Sequence, residues 1–429
     1  MSNFKPTVMK LQIKNLAPVT ILLICVVFFS GCFKDEVTKT YSISRPVLKE
    51  KSEVLANIKS GPTHTLSSPG KIYLYGKYIF LNEMNKGVHV LDNSNPSNLT
   101  EVCFIDIPGN IDIAVKGSTL YADMFTDLLT IDITNPLQVK LSKVTPHMFP
   151  ERQYNSGIFV DSNKVIVEWI TKDTTVSVNE DQNNWMGGGC PNCLFASVSG
   201  ADKSNSSAPG IGGSMARFSV VGNYLYTVNM SSLGVHDISN TNNPSFLGSK
   251  PIGWNIETVY PFKDKLFIGS SNGMFIYDIS NPASPAKVSQ FSHARACDPV
   301  IADDNFAYVT LRAGTFCVGT NNQLDVIKID DLSTPSLLKT YPMSSPHGLA
   351  KDGDLLFICE GKDGLKLFDA SDPSSIKLKK HLTGMETFDV IAWNKKILLV
   401  TSEGLYQYKY DEAGNMQMLS KMLIKKSGF

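Results

Sequence analysis

Three sets of residues in this 429-residue chain have the types and spacing to do chemistry. The first is Cys190-Pro191-Asn192-Cys193, whose thiols suit a small disulfide, redox exchange or half of a zinc site. Zinc needs two further ligands that the neighbouring sequence lacks, and no thioredoxin-like βαβ pattern surrounds the pair, so a loop disulfide is expected. The second set is the seven histidines. His89 and His236 stand two residues after a recurring glycine, where other copies carry Phe275, Lys366 and Tyr406. Such variety reads as the solvent side of a strand, and neither histidine is assigned a catalytic role. The third set is Lys71, Asp112, Ser156, Arg217, Glu257, Asp298, His347 and Asp389, each nine or ten residues before the aromatic or leucine of a second strand. Gathered in a ring, these groups would shift one another's pKa values and hold a cation or a polar ligand; the alternative is that neighbouring charges pair off.

The elements that would gather them are repeats. A strand led by glycine and ending in aspartate runs into an Asn-Pro turn: Gly87–Asp92 before Asn95-Pro96, Gly234–Ile238 before Asn243-Pro244, Gly273–Ile279 before Asn281-Pro282. Leu128–Ile133 leads likewise to Asn135-Pro136, and Gly364–Asp369 to Asp372-Pro373. Ahead of each copy lies a strand, a short polar turn and a second strand, as in Tyr75-Gly76-Lys77-Tyr78 and Val221-Gly222-Asn223-Tyr224. A unit of about 40 residues with four short antiparallel strands is the content of a propeller blade. Proline falls only where the third strand ends, and the turn Asp and Asn are suited to accepting backbone hydrogen bonds there. The fold class is therefore all-β, a propeller of four-stranded antiparallel blades whose inner strands line a channel. Eight blades are expected, with seven as the alternative; the segment from Arg152 to Val178 decides, because it has lost the Asp and Asn-Pro signature.

The Asp-Ile-Ser-Asn-Pro units preceded by Gly-Val or Gly-Leu resemble the LVIVD repeat family of bacterial β-propellers, over about residues 70–424. The resemblance implies a propeller in a surface or secreted setting and carries no catalytic motif. Residues 179–213, rich in Gly, Ser and Asn, interrupt the period as a loop insertion that carries Trp185, Met186, Leu194 and Phe195. Ahead of the propeller, the segment around Lys49 to Ile58 has helical composition with Val54, Leu55 and Ile58 on one side.

The N-terminus reads as a targeting segment. Lys5, Lys10 and Lys14 precede the apolar run Val19–Phe29, which is short for a membrane span, and Ser30-Gly31-Cys32 follows. That order resembles a bacterial lipobox, with Phe29 where Leu is usual, and implies removal of residues 1–31 and acylation of Cys32. Lys34-Asp35-Glu36 beside it is similar to the export signal that sends some Bacteroidetes lipoproteins to the outer face of the outer membrane. Residues 32–69 would be the tether and 70–426 the propeller.

Lys+Arg and Asp+Glu balance at 40 each, so no net field draws in nucleic acid. Nucleophile elbows, phosphate-cradling glycine loops, zinc helices and EF-hand loops are missing from the sequence. The expectation is a lipid-anchored, surface-exposed binding or scaffolding propeller without cofactor, which meets the membrane through its lipid and a protein or glycan at the envelope. The alternative is an envelope hydrolase or lyase using the charged channel mouth. The two differ in whether the ring groups converge on one point or pair off.

Overall fold

The computed structural model describes residues 38–153, 160–177, 211–293, 299–314 and 321–424. It divides into two units, residues 46–169 with 188–429, and residues 1–45 with 170–187.

The larger unit is a propeller of seven blades, spanning residues 69–106, 113–145, 218–251, 256–292, 300–342, 349–382 and 387–423. Each blade is a four-stranded antiparallel meander that runs from the inner strand outward. The motif residues explain how. Asp132, Asp237, Asp278 and Asp369 each accept the backbone N–H two residues on, at 2.7–3.1 Å, closing the turn after the third strand. Glycine opens the third strand because the outer strand passes too close for a side chain: a Cβ on Gly87 or Gly364 would lie 2.0 Å from a carbonyl oxygen of that strand, and both have positive φ.

Second-strand side chains form the seams between blades. Phe80, Tyr121, Tyr226, Phe267, Tyr308 and Phe357 are all buried, and each such aromatic contributes roughly 1.5–3 kcal/mol by leaving water. Two of the tyrosines also bind the next blade's Asn-Pro turn, Tyr121 Oη donating to Thr241 O at 2.9 Å and Tyr226 Oη to Pro282 O at 2.8 Å. The ring closes by packing, with no strand shared between its ends. Ile72, Leu74, Ile79 and Leu81 of blade 1 meet Ile391, Leu398, Val400 and Leu405 of blade 7. Gln407 Nε2 donates to Asn93 Oδ1 at 2.8 Å across the same seam.

Among the described residues the expected eighth blade is not formed. In place of a hairpin, the Arg152–Val178 segment holds a 3-10 turn, Pro150–Gln153, and one long strand, Lys164–Ser177, which pairs with Thr38–Glu50. Without a turn signature the segment has no local partner, and its backbone groups are met by a strand from far along the chain. In the smaller unit these two strands run antiparallel under a ladder of polar side chains, with Thr40 on Thr175 at 2.9 Å, Ser42 on Asp173 at 2.5 Å and Ser44 on Thr171 at 2.7 Å.

Helix α1, Lys51–Ala56, belongs to the propeller unit, where Val54 and Ile58 are buried and Leu55 packs beside them. Blade 1 carries two short additions, Ser60–Gly61 on its outer edge and Ile211–Gly212 on its inner edge.

Candidate functional site at the channel mouth

The inner strands place the expected ring on two levels. In the seven blades, Tyr73, Ala114, Ser219, Tyr260, Ile301, Ala350 and Ile391 lie opposite the second-strand positions Phe80, Tyr121, Tyr226, Phe267, Tyr308, Phe357 and Leu398. Two residues before each stand Lys71, Asp112, Arg217, Thr258, Pro299, Gly348 and Asp389. Four of the candidates therefore share one level, on the consecutive blades 7, 1, 2 and 3. Glu257 and His347 belong one residue earlier, beside Thr258 and Gly348; Asp298 has the same offset and lies outside the described residues, as does Ser156.

On the first level Lys71 and Asp112 pair. Lys71 Nζ donates to Asp112 Oδ2, which also accepts the Arg217 N–H at 2.7 Å, while Asp112 Oδ1 accepts the Ile113 N–H at 2.8 Å. Burial draws the Lys71 ammonium down to about 8, with Asp112 opposing and Arg217 reinforcing the shift. Beneath it, Asp123 accepts the N–H groups of Ile111 and Asp112 at 2.7 and 3.0 Å and pairs with the Arg152 guanidinium, which donates to Gly109 O at 2.5 Å. Arg152, itself pulled down to about 9 by burial and by Arg217, was not legible as a channel residue because it sits in the supposed eighth blade.

Asp389 differs from its neighbours. Its carboxylate oxygens are buried without a hydrogen-bond partner, and burial raises it to about 7, against the pull of the nearby Val390 amide and the Lys71 ammonium. It fits only because Gly348 faces it: a Cβ there would stand 2.3 Å from Asp389 Oδ1.

Toward blades 5 and 6 and the start of blade 7 there is room. Glu257 is half-buried and attracts the Arg312 guanidinium, which burial shifts downward. Burial and the Arg312 charge hold His347 at about 3, so its imidazole is neutral, edge-on to Phe388 with ring centres 5.6 Å apart. Here a cavity of about 560 Å³ opens, lined by Arg312, Ser344, His347, Glu360, Glu386 and Phe388 among others. Arg312 ends a second strand outside any repeated polar position, so nothing in the sequence pointed to it.

The channel itself is crossed by protein. Ile211 and Gly212 pair with Leu74 and Tyr73 of blade 1. Ser214 Oγ accepts the Leu349 N–H of blade 6 at 2.7 Å, and Ala216 O accepts the Val259 N–H of blade 4 at 2.7 Å. Residues 213–216 are buried, so the end of the expected loop insertion is ordered within the channel.

Two other expectations change. His89 and His236 are both buried. They also occupy different places: His89 lies opposite Leu81, three residues into its second strand, and His236 opposite Leu225, one residue in. His236 sits on Phe246 and is driven to about 4 by burial and Lys143. Cys103 and Cys359 are buried free thiols. Cys32, Lys34, Asp35, Glu36, Cys190 and Cys193 lie outside the described residues.

Four segments, residues 69–106, 212–250, 265–292 and 348–383, match the LVIVD repeat. The chain carries LVIVD repeats. They fall on blades 1, 3, 4 and 6 of the propeller. No curated protein matches the chain. Among solved structures it is similar to a protein from Lactobacillus plantarum, at 12% identity over 83% of this chain and 96% of that one, with a TM-score of 0.52. Saccharomyces cerevisiae Sqt1 follows at 10% identity, over 83% and 86% of the two chains, TM-score 0.51. BamB from Moraxella catarrhalis is 8% identical, over 85% and 99%, TM-score 0.50. At these identities the likeness is one of fold.

Proposed function

We propose that this LVIVD-repeat propeller is a non-catalytic binding or scaffolding protein of the cell envelope, anchored by lipid on Cys32 and carried to the outer surface by Lys34, Asp35 and Glu36. Its partner is a protein or glycan that enters the cavity beside the channel mouth. The observation that carries the reading is the split of the mouth. Lys71 and Asp112 are consumed by one another, while Arg312 and Glu386 line open space. Polar groups with a rigid backing and an accessible volume of this size suit recognition.

One observation favours a hydrolase or lyase instead. Asp389, at about 7, is poised to exchange a proton at neutral pH. Against it, the carboxylate is 3% exposed and pressed on Gly348, and burial together with the Asp389 charge pushes the neighbouring Cys359 thiol up, away from thiolate.

A photo-crosslinking residue in place of the exposed Lys362 on the cavity rim, displayed on intact cells, tests the reading. A discrete cross-linked protein or glycan species that requires Cys32 is expected. Cross-links confined to the chain itself contradict it.

A further inference from the structure

Outside the channel, blade 1 gathers His64, Glu83 and His89 so that one donor atom of each lies within 4.8 Å of the others. The three come from different segments. His64 belongs to the lead-in between Ser60–Gly61 and the inner strand, Glu83 ends the second strand Tyr78–Glu83, and His89 is in the third, Gly87–Asp92. Glu83 and His89 have fully buried side chains, whereas that of His64 is 47% exposed, which leaves one side open to solvent. His89 Nε2 lies 2.8 Å from Glu83 Oε2, and His64 Nδ1 lies 3.4 Å from the same oxygen.

Glu101, on the outer strand, supplies the second observation. Its Oε1 is 2.8 Å from His89 Nδ1 and accepts the His64 backbone N–H at 3.2 Å. A carboxylate only accepts, so the Nδ1 proton of His89 is held by Glu101 and Nε2 is turned toward Glu83 and His64. This is the outer carboxylate that orients a metal-binding imidazole. Phe104 stacks against His64, with ring centres 4.8 Å apart, and fixes the second ring.

Blade 6 has the same backbone positions and a different solution. Glu360 takes the place of Glu83, and Lys366 that of His89, each opposite the third residue after its second strand begins. There the ammonium of Lys366 sits 3.1 Å from Glu360 Oε1, and the N–H groups of Ser344 and Ser345 satisfy Oε2 at 2.8 Å. Blade 6 therefore has both carboxylate oxygens taken by an ammonium and backbone N–H groups. In blade 1, Lys86 and Ser67 occupy Glu83 Oε1, and Oε2 is left to the imidazoles.

We propose that His64 Nδ1, Glu83 Oε2 and His89 Nε2 bind a divalent transition-metal cation, zinc by donor type, with water completing a tetrahedron on the exposed side. Two imidazoles and a carboxylate are zinc donors, and bonds of about 2.0–2.1 Å set donor atoms about 3.3 Å apart. The His64–Glu83 separation fits, and the metal replaces the proton between His89 and Glu83 while that ring draws back by about half an ångström. The ion clips the lead-in segment to blade 1.

Zinc chloride titrated calorimetrically into chelator-stripped full-length protein tests this, with Co²⁺ as a spectroscopic substitute. One zinc per chain, visible bands of four-coordinate Co²⁺ and a raised melting temperature are expected. His64→Ala, at an exposed position, should weaken binding at least tenfold while melting like the wild type without metal. Glu101→Gln should weaken it about 10–100-fold, with four-coordinate Co²⁺ bands still reached at saturation. Absence of stoichiometric binding at micromolar protein overturns the proposal, as does equal zinc affinity in His64→Ala, which would place the metal elsewhere.

Discussion

The two sides of the channel mouth are built on the same backbone and do opposite things. On blades 7, 1, 2 and 3 the residue two before the hairpin-paired position is ionic: Lys71 and Asp112 form a buried pair, Arg217 meets Asp112 through its backbone N–H, and Asp389 is buried without a hydrogen-bond partner. On blades 4, 5 and 6 that position is Thr258, Pro299 and Gly348, and an open cavity lies against blades 5 and 6 and the start of blade 7. A ring of charge around a propeller axis is thus not in itself a site. Where the groups face one another across adjacent blades they hold the ring; where a small residue intervenes they are left for something else.

The largest effects should come from the paired side. Asp112→Ala leaves the Lys71 ammonium buried without its counter-charge and should cost about 3–5 kcal/mol in denaturant unfolding. The core aromatics set the scale for both sides. Phe80→Ala in blade 1 and Phe357→Ala in blade 6 should each cost about 3–5 kcal/mol, and a difference of several kcal/mol between them would mean that the blades are not equivalent.

Next in size is pH. Between the ordinary value of 3.8 and about 7, the folded chain keeps on Asp389 a proton that the unfolded chain has released. The Asp389 contribution to stability should therefore fall as pH rises through that window, by about 4 kcal/mol at most. Lys71 acts oppositely: between about 8 and 10.5 the unfolded chain holds a proton that the folded chain has lost, so stability recovers with rising pH. His236 and His347, held at about 4 and about 3, add stability as pH rises toward their ordinary 6.5, so the Asp389 share is read as a difference: from pH 4 to 7 the wild type should lose stability relative to Asp389→Asn. A profile unchanged by that substitution would show that Asp389 is not the buried acid described.

The smallest stability effect belongs to the open side. Arg312→Ala should cost about 1 kcal/mol or less, because its pairing with Glu257 is only partly shielded from water.

Most of the fold was legible in the sequence because its signals are local. An aspartate that accepts the N–H two residues on, as Asp278 does from Ser280, marks the end of a third strand wherever it recurs. The blade count was not, because Lys164–Ser177 alternates like a blade strand while its partner, Thr38–Glu50, lies more than a hundred residues away. The channel residues were half legible: periodicity led to Lys71, Asp112, Arg217 and Asp389, but not to the one-residue offset of Glu257 and His347. Ser214 and Arg152 bond to Leu349 and Gly109 from connecting segments that carry no period at all. His89 was misjudged because a varied position was taken for a solvent-facing one, whereas the outer strand and Glu83 cover it.

The central claim is that recognition belongs to the open side and that the paired side is structural. Arg312→Glu and Asp389→Asn, displayed on intact cells and compared for cross-linked partner per folded molecule, test it most directly. The account predicts at least a tenfold loss for Arg312→Glu and wild-type capture for Asp389→Asn. Loss of capture in Asp389→Asn with full capture in Arg312→Glu would contradict it and move the working site to the paired side.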